Sequence, residues 1–228
     1  MYRFISRGEL IMDQSFSQLK EDLVVKRIFD GAGVSVIRYL DVGAYSAVDL
    51  SNTFLFYSNG SSGVLVEPDP YLCDKLRSER PRDIVVQSAM SPDNGNITLY
   101  RLTARTMNTI SLKHAQYIVA HGGWGPQHIE ERIPVPTVHI NDILKKHFSA
   151  GCDFLSIDTE GLDGKIIKSL DFDLYRPSVV CIETLGGHPD VDLKDIESFM
   201  ESKNYNNAHC SGLNSIFTDN KRFQPQKY

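Results

Sequence analysis

Tyr39-Leu40-Asp41-Val42-Gly43-Ala44, followed one helix-length later by Val64-Leu65-Val66-Glu67, is the part of the chain from which the rest can be read. The apolar run Val36–Val42 has strand length, and its carboxyl end carries a glycine. Gly43 lets the backbone turn tightly and approach a ligand at the edge where open α/β sheets bind them. The second apolar run ends in Glu67, and an acid there can accept hydrogen bonds from both hydroxyls of an adenosine ribose. Strand, glycine turn, helix, strand and acid describe half of an adenosine-cofactor site. The turn narrows the choice. A dinucleotide fingerprint needs G-x-G-x-x-G so that backbone amides can cradle a pyrophosphate. Here Gly43-Ala44-Tyr45-Ser46-Ala47 places bulk where the later glycines belong. S-adenosylmethionine (SAM) has no phosphate, so a looser turn beside acidic residues suits it. Asp41 can orient the turn or face the ammonium group.

Working outward, further apolar runs end in polar or acidic residues: Ile84–Gln87, Phe154–Asp158 and Val179–Glu183. Helical patterns lie between most of them, at Tyr71–Arg80, Gly164–Leu170 and Leu193–Lys203. Such alternation predicts a parallel sheet covered on both faces, and continuous apolar strands agree with burial on both sides. Upstream, Phe16, Leu19, Leu23, Val24 and Ile28 fall at helical spacing, closed by Gly31 and Gly33. Asn94-Gly95 before Ile97–Tyr100 reads as a hairpin turn entering a strand. The tail pairs Tyr205–Cys210 with Ser215–Thr218 across Ser211-Gly212 as a terminal β-hairpin. His114–Pro136, with Trp124 and three histidines, has no clear period and reads as a lid or a surface excursion.

The 228 residues suit one α/β domain, and 41% hydrophobic with 23% charged residues is ordinary for a globular protein. A net charge of −5, without a dense Lys/Arg run, argues against a nucleic-acid partner. Cys73, Cys152, Cys181 and Cys210 form no C-x-x-C pair, so free thiols in a reducing compartment are expected. Met1–Gln14 lacks the apolar core of a signal peptide, and no later run could span a bilayer. The expected location is cytoplasmic.

Several separated blocks resemble the FkbM family of SAM-dependent methyltransferases. Ser17-Gln18-Leu19-Lys20-Glu21-Asp22 is similar to the segment ahead of the first strand in one branch of that family. Asp41-Val42-Gly43-Ala44 and Ser51-Asn52-Thr53 match its first motif and the S-N-T that follows. Val66-Glu67-Pro68-Asp69-Pro70 is similar to its second-strand signature, Asp158-Thr159-Glu160-Gly161 to its D-x-E-G, and Cys181-Ile182-Glu183 to its late strand. Two departures stand out: Tyr45-Ser46-Ala47 where relatives carry a second glycine, and Thr137–Asp142 where they carry paired acids.

The resemblance implies a Rossmann-like class I methyltransferase fold with a mostly parallel sheet, helices on both faces and a C-terminal β-hairpin. Residues 1–35 would form a helical segment packing on or capping the cofactor site. Residues 36–228 would form the methyltransferase domain, with an irregular insertion near 101–136. The cofactor would be SAM, and the acceptor a hydroxyl on a sugar, glycan or secondary metabolite. Gly43 and Ala44 would line the methionine part of SAM, Glu67 would hold the ribose, and Ser88 and Ala89 would lie near the adenine. Asn52 would reach the cofactor carboxylate, or cap a helix with Ser51. Gln18, Glu21 and Asp22 would fold over the pocket, although a solvated helix face is the readier reading of Glu21.

Asp158, Glu160 and Asp163 fit several roles: binding the SAM ammonium, holding a divalent cation through oxygen ligands, supplying a base, or placing acids at a helix N-terminus. An alcohol acceptor must lose a proton, and Asp158, His139, Glu183 and His188 are the candidate bases. His139 with Asp142 could also form a metal pair with the acid cluster, and the plain alternative for His188 is a surface residue. A nicotinamide-dependent oxidoreductase and a catalytically silent SAM-binding module are the alternatives.

Overall fold

A computed structural model describes residues 14–122, 125–184 and 193–223. In chain order the elements are α1 (Glu21–Gly31), β1 (Arg38–Val42), α2 (Phe54–Ser58), β2 (Ser62–Glu67), α3 (Pro70–Glu79), β3 (Ile84–Gln87) and β4 (Ala89–Met90). There follow β5 (Gly95–Leu102), α4 (Leu112–His121), β6 (Ile129–Val138), α5 (Ile140–His147), β7 (Phe154–Ile157) and α6 (Asp163–Ser169). The chain continues through β8 (Val179–Glu183), α7 (Leu193–Ser202), β9 (Tyr205–Cys210) and β10 (Asn214–Asp219).

Seven strands form the main sheet in the order β3-β2-β1-β7-β8-β10-β9. Neighbours from β3 to β8 run parallel, whereas β10 runs antiparallel to both β8 and β9. The predicted terminal hairpin is therefore present. Because side chains alternate across a strand, each buried strand feeds two cores. Leu40, Val42, Val66, Leu155 and Ile182 pack with Ile143 and Ile166 of α5 and α6. Tyr39, Leu65, Phe154 and Cys181 pack on the other face with Val25, Phe56 and Leu76 of α1, α2 and α3. This two-sided burial is the cause of the unbroken apolar runs.

The structure departs from the sequence reading in three places. The first helix starts at Glu21 rather than near Phe16. Residues 15–17 instead wrap around Asp22, whose carboxylate accepts from Ser15 Oγ (2.6 Å), Phe16 N (2.7 Å) and Ser17 Oγ (2.9 Å). Asn94-Gly95 does not turn between paired neighbours. β5 pairs with the distant β6, and β6 separates it from β4 in a second, three-stranded sheet. The stretch without visible period holds most of α4 and most of β6. Its helix begins earlier, at the Ser111 cap, and Pro134 and Pro136 obscure the strand.

A buried polar hub ties the amino-terminal half together. Arg80 has no solvent exposure and donates to Asp83 Oδ2 (2.7 Å), the Tyr39 hydroxyl (2.8 Å) and Thr53 Oγ1 (3.0 Å). Thr53 Oγ1 in turn donates to Asp41 (2.6 Å), and the Tyr39 hydroxyl donates to Asp83 (2.8 Å). One guanidinium thus connects β1, the segment before α2, and the turn after α3. Replacing it strands the Asp83 carboxylate, whose side chain is also fully buried. Arg80→Met is expected to lower stability by about 3–5 kcal/mol in urea denaturation, and Arg80→Met with Asp83→Asn to recover part of that loss.

Candidate active site

The carboxyl ends of β1, β2, β7 and β8 share one edge of the sheet, and the site is built there. The turn after β1 passes against the end of β7. Gly43 takes a left-handed backbone (φ 82°) and donates its N–H to Val66 O (2.9 Å). A Cβ at that position would lie 1.7 Å from the carbonyl oxygen of Asp158, so no side chain fits. Tyr45, also left-handed (φ 45°), donates its backbone N–H to Glu67 Oε2 (3.0 Å). Asp69 N donates to Glu67 Oε1 (2.8 Å). Each oxygen of the Glu67 carboxylate thereby uses one lone pair and keeps capacity for another donor. Burial pushes the Glu67 carboxyl up to about 7, against the pull of those two backbone bonds.

The facing wall is acidic. One oxygen from each of Asp158, Glu160 and Glu183 lies within 4.8 Å of the others. Asp163 sits beneath, its carboxylate accepting from Thr159 N (2.8 Å) and Gly161 N (3.2 Å). These bonds hold a loop in which Glu160 is left-handed (φ 54°). Burial first, and the neighbouring carboxylates second, raise Asp158 and Glu183 well above the ordinary range. The same causes lift Glu160 to about 8. Glu160 Oε2 lies 3.3 Å from His114 Nε2. Glu183 Oε2 and the amide oxygen of Asn214 are buried and have no hydrogen-bond partner.

Between these walls lies a cavity of ≈ 870 Å³, completed on its far side by apolar side chains that include Leu99, Met107, Ile110 and Ile118. The volume is within the ~300–1,000 Å³ usual for small-molecule sites. Its electrostatics favour a ligand with positive charge, whereas a pyrophosphate would face three carboxylates.

Of the residues expected to bind or react, Gln18, Gly43, Glu67, Ala89, Asp158 and Glu183 line this cavity. Others serve beside it. Ala44 turns into the core with Val25 and Phe29, leaving Tyr45 to line the cavity. Asp41 holds Thr53, and Ser88 Oγ donates to Pro136 O (2.9 Å). Asn52 Nδ2 reaches Ser156 Oγ on β7 (3.1 Å), and Ser51 accepts from Phe54 N, the first residue of α2. His139 lies away from the acids: it caps α5, its Nδ1 accepting from Asn141 N (3.1 Å). Asp142 pairs with Asn94 Nδ2 (3.0 Å) rather than with a metal-binding group. His188 lies outside the described residues. Glu21 and Asp22 are fully buried, so neither forms a solvated face. Glu21 accepts from Ser211 Oγ (2.9 Å) and Asn214 Nδ2 (3.0 Å). The sequence reading missed Tyr45, His114 and Asn214 as site residues. His114 belongs to the stretch without period, and Asn214 opens a strand chosen only for its hairpin pattern.

A family model described as "Methyltransferase FkbM domain" matches residues 41–206, which include Asp41, Gly43, Glu67, Asp158 and Glu183. Among solved structures, a TehB-like SAM-dependent methyltransferase from Corynebacterium glutamicum is similar at 12% identity, covering 86% of each chain, with a TM-score of 0.42. An O-methyltransferase from Bacillus cereus in complex with SAH is similar at 12% identity, covering 92% of this chain and 91% of its own, with a TM-score of 0.38. No curated protein matches the chain. The mostly parallel sheet with its antiparallel terminal hairpin is the class I methyltransferase arrangement, and the chain belongs to the FkbM methyltransferase family.

Proposed function

We propose that the chain is a SAM-dependent methyltransferase that acts on oxygen, with a hydroxyl of a sugar, glycan or secondary metabolite as acceptor. The observation that carries this reading is the pairing of the Gly43–Glu67 turn with unneutralised carboxylates across one cavity. SAM supplies an electrophilic methyl group when bound. Its ribose hydroxyls match the free acceptor capacity of Glu67, and its positive charges match the acidic wall. Gly43 packs directly on the Asp158 carbonyl, which holds the turn and the acidic loop at the same edge. A nicotinamide cofactor fits less well, because its pyrophosphate would meet the crowded Tyr45 turn and the same acids.

In this reading Glu67 orients the ribose, Ala89 forms part of the adenine side, and Gln18 closes the rim. Residues 14–35 act as a cap, anchored through Glu21 to Asn214. The acceptor enters against Met107, Ile110 and Ile118, which exclude water from the reacting centre. Asp158 and Glu183 hold protons more tightly than ordinary carboxylates, which makes either a better base towards a hydroxyl. His114, beside Glu160, stands ready to relay that proton outward. Methyl transfer itself needs chiefly alignment, which the rigid strand ends provide.

Glu67→Gln, which keeps the shape but removes the charge, is expected to weaken SAM binding by roughly 10- to 100-fold in calorimetry. Tight NAD binding with no SAM binding by the native protein would overturn the proposal. SAM binding without transfer to any member of a hydroxylated acceptor panel would favour the silent module.

Stability should also depend on pH. Glu67 and Glu160 titrate in the folded protein at about 7 and about 8, against 4.5 ordinarily. The folded state therefore keeps protons that the unfolded chain has released. This contribution is complete below about pH 4.5 and is lost as pH rises through about 7 to 8. The melting temperature of the cofactor-free protein is expected to fall between pH 5.5 and 8.5, and saturating SAM to flatten that fall.

A further inference from the structure

We propose that Asp158, Glu160 and Glu183, joined by the amide oxygen of Asn214, bind one divalent hard cation at the acceptor side of the cavity. The three carboxylate oxygens lie within 4.8 Å of one another. Three oxygens spaced evenly around one ion at about 2.6 Å stand about 4.5 Å apart, so a shift of a few tenths of an ångström in these side chains brings all three onto a single ion. The donors are all oxygen, which favours Mg²⁺, Ca²⁺ or Mn²⁺ over zinc or copper.

Asn214 points to a ligand independently of the acids. It is 3% exposed, lines the same cavity, and its amide oxygen has no partner. Its other amide atom is committed: Nδ2 donates to Glu21 Oε1 (3.0 Å), which fixes the direction of the oxygen. Asn214 stands opposite Glu183 in the β8–β10 register, so the two side chains share one face of the sheet. Glu183 is 7% exposed, and its Oε2 is likewise partnerless. Two buried oxygens on adjacent strands thus lack a donor, and one of them belongs to the carboxylate that meets Asp158 and Glu160. Among the described residues, the one ion pair to this cluster is His114 with Glu160, and no lysine or arginine pairs with Asp158 or Glu183. An ion there would be held by residues from β8, β10 and the loop after β7, all rigid elements. It would polarise an acceptor hydroxyl, which is the one part of the idea that rests on the proposed function.

The test is Mn²⁺ titration of the EDTA-stripped full chain, followed by the paramagnetic resonance of free Mn²⁺, with Mg²⁺ and Ca²⁺ as competitors. The native protein is expected to bind one Mn²⁺ per chain and to melt at higher temperature when saturated. Glu183→Gln and Glu160→Gln are each expected to weaken Mn²⁺ binding by at least about tenfold and to lose the melting shift. The proposal is overturned if the native chain takes up no Mn²⁺ at millimolar concentration, or if both variants bind as the native protein does. It is also overturned if the variants lose affinity for SAM while the native chain binds SAM but no Mn²⁺, because the acids would then serve only the cofactor's charge. Mn²⁺ binding without SAM binding would leave the cation site standing and sink the proposed function alone.

Discussion

The contact between the turn after β1 and the end of β7 constrains most of what this protein can do. Gly43 lies so close to the Asp158 carbonyl that a single added carbon would collide with it. Both segments are pinned by neighbouring strands: Gly43 N donates to Val66 O, and Asp158 N to Val42 O (2.9 Å each). The glycine turn and the acidic loop therefore cannot move apart without unpairing the centre of the sheet. The cavity lies outside this junction, with Glu67 on one wall and Asp158, Glu160 and Glu183 on the other. The geometry of these two walls is inherited from β-pairing, and the segment 104–110 with α4 completes the cavity.

Charge is the second constraint. Three buried or half-buried carboxylates, Asp158, Glu160 and Glu183, with Asp163 below them, sit at one sheet edge and raise one another's proton affinity. Such a cluster is stable only if protonated or neutralised. A cationic cofactor or a hard cation would each neutralise it. Asp163 is the exception: its oxygens serve backbone N–H groups and shape the loop. Elsewhere the molecule neutralises its buried charge internally, as the Arg80 hub does for Asp83. The contrast between a satisfied hub and an unsatisfied wall separates the scaffold from the site.

The chain itself determined the α/β class, the strands from β1 to β8 that carry the parallel sheet, the terminal hairpin and the two polar walls of the cavity. These follow from local signals: apolar runs of strand length, glycine and acid at strand ends, and family motifs in order. Gly43, Glu67, Asp158 and Glu183 were legible because each terminates a buried strand, where side chains at one sheet edge must converge. Tertiary structure decided the rest. His139 has the chemistry of a base, but its nearest unsatisfied N–H belongs to α5, and it became a cap. Asn52 has the chemistry of a ligand and was taken by Ser156. Glu21 looked solvent-facing until the terminal hairpin covered it. Asn214 and His114 reached the cavity through long-range pairing that no local pattern encodes, β10 against β8 and α4 beside β5. Sequence periodicity reports which face of an element is buried; which distant side chain it is buried against depends on how the sheet is assembled.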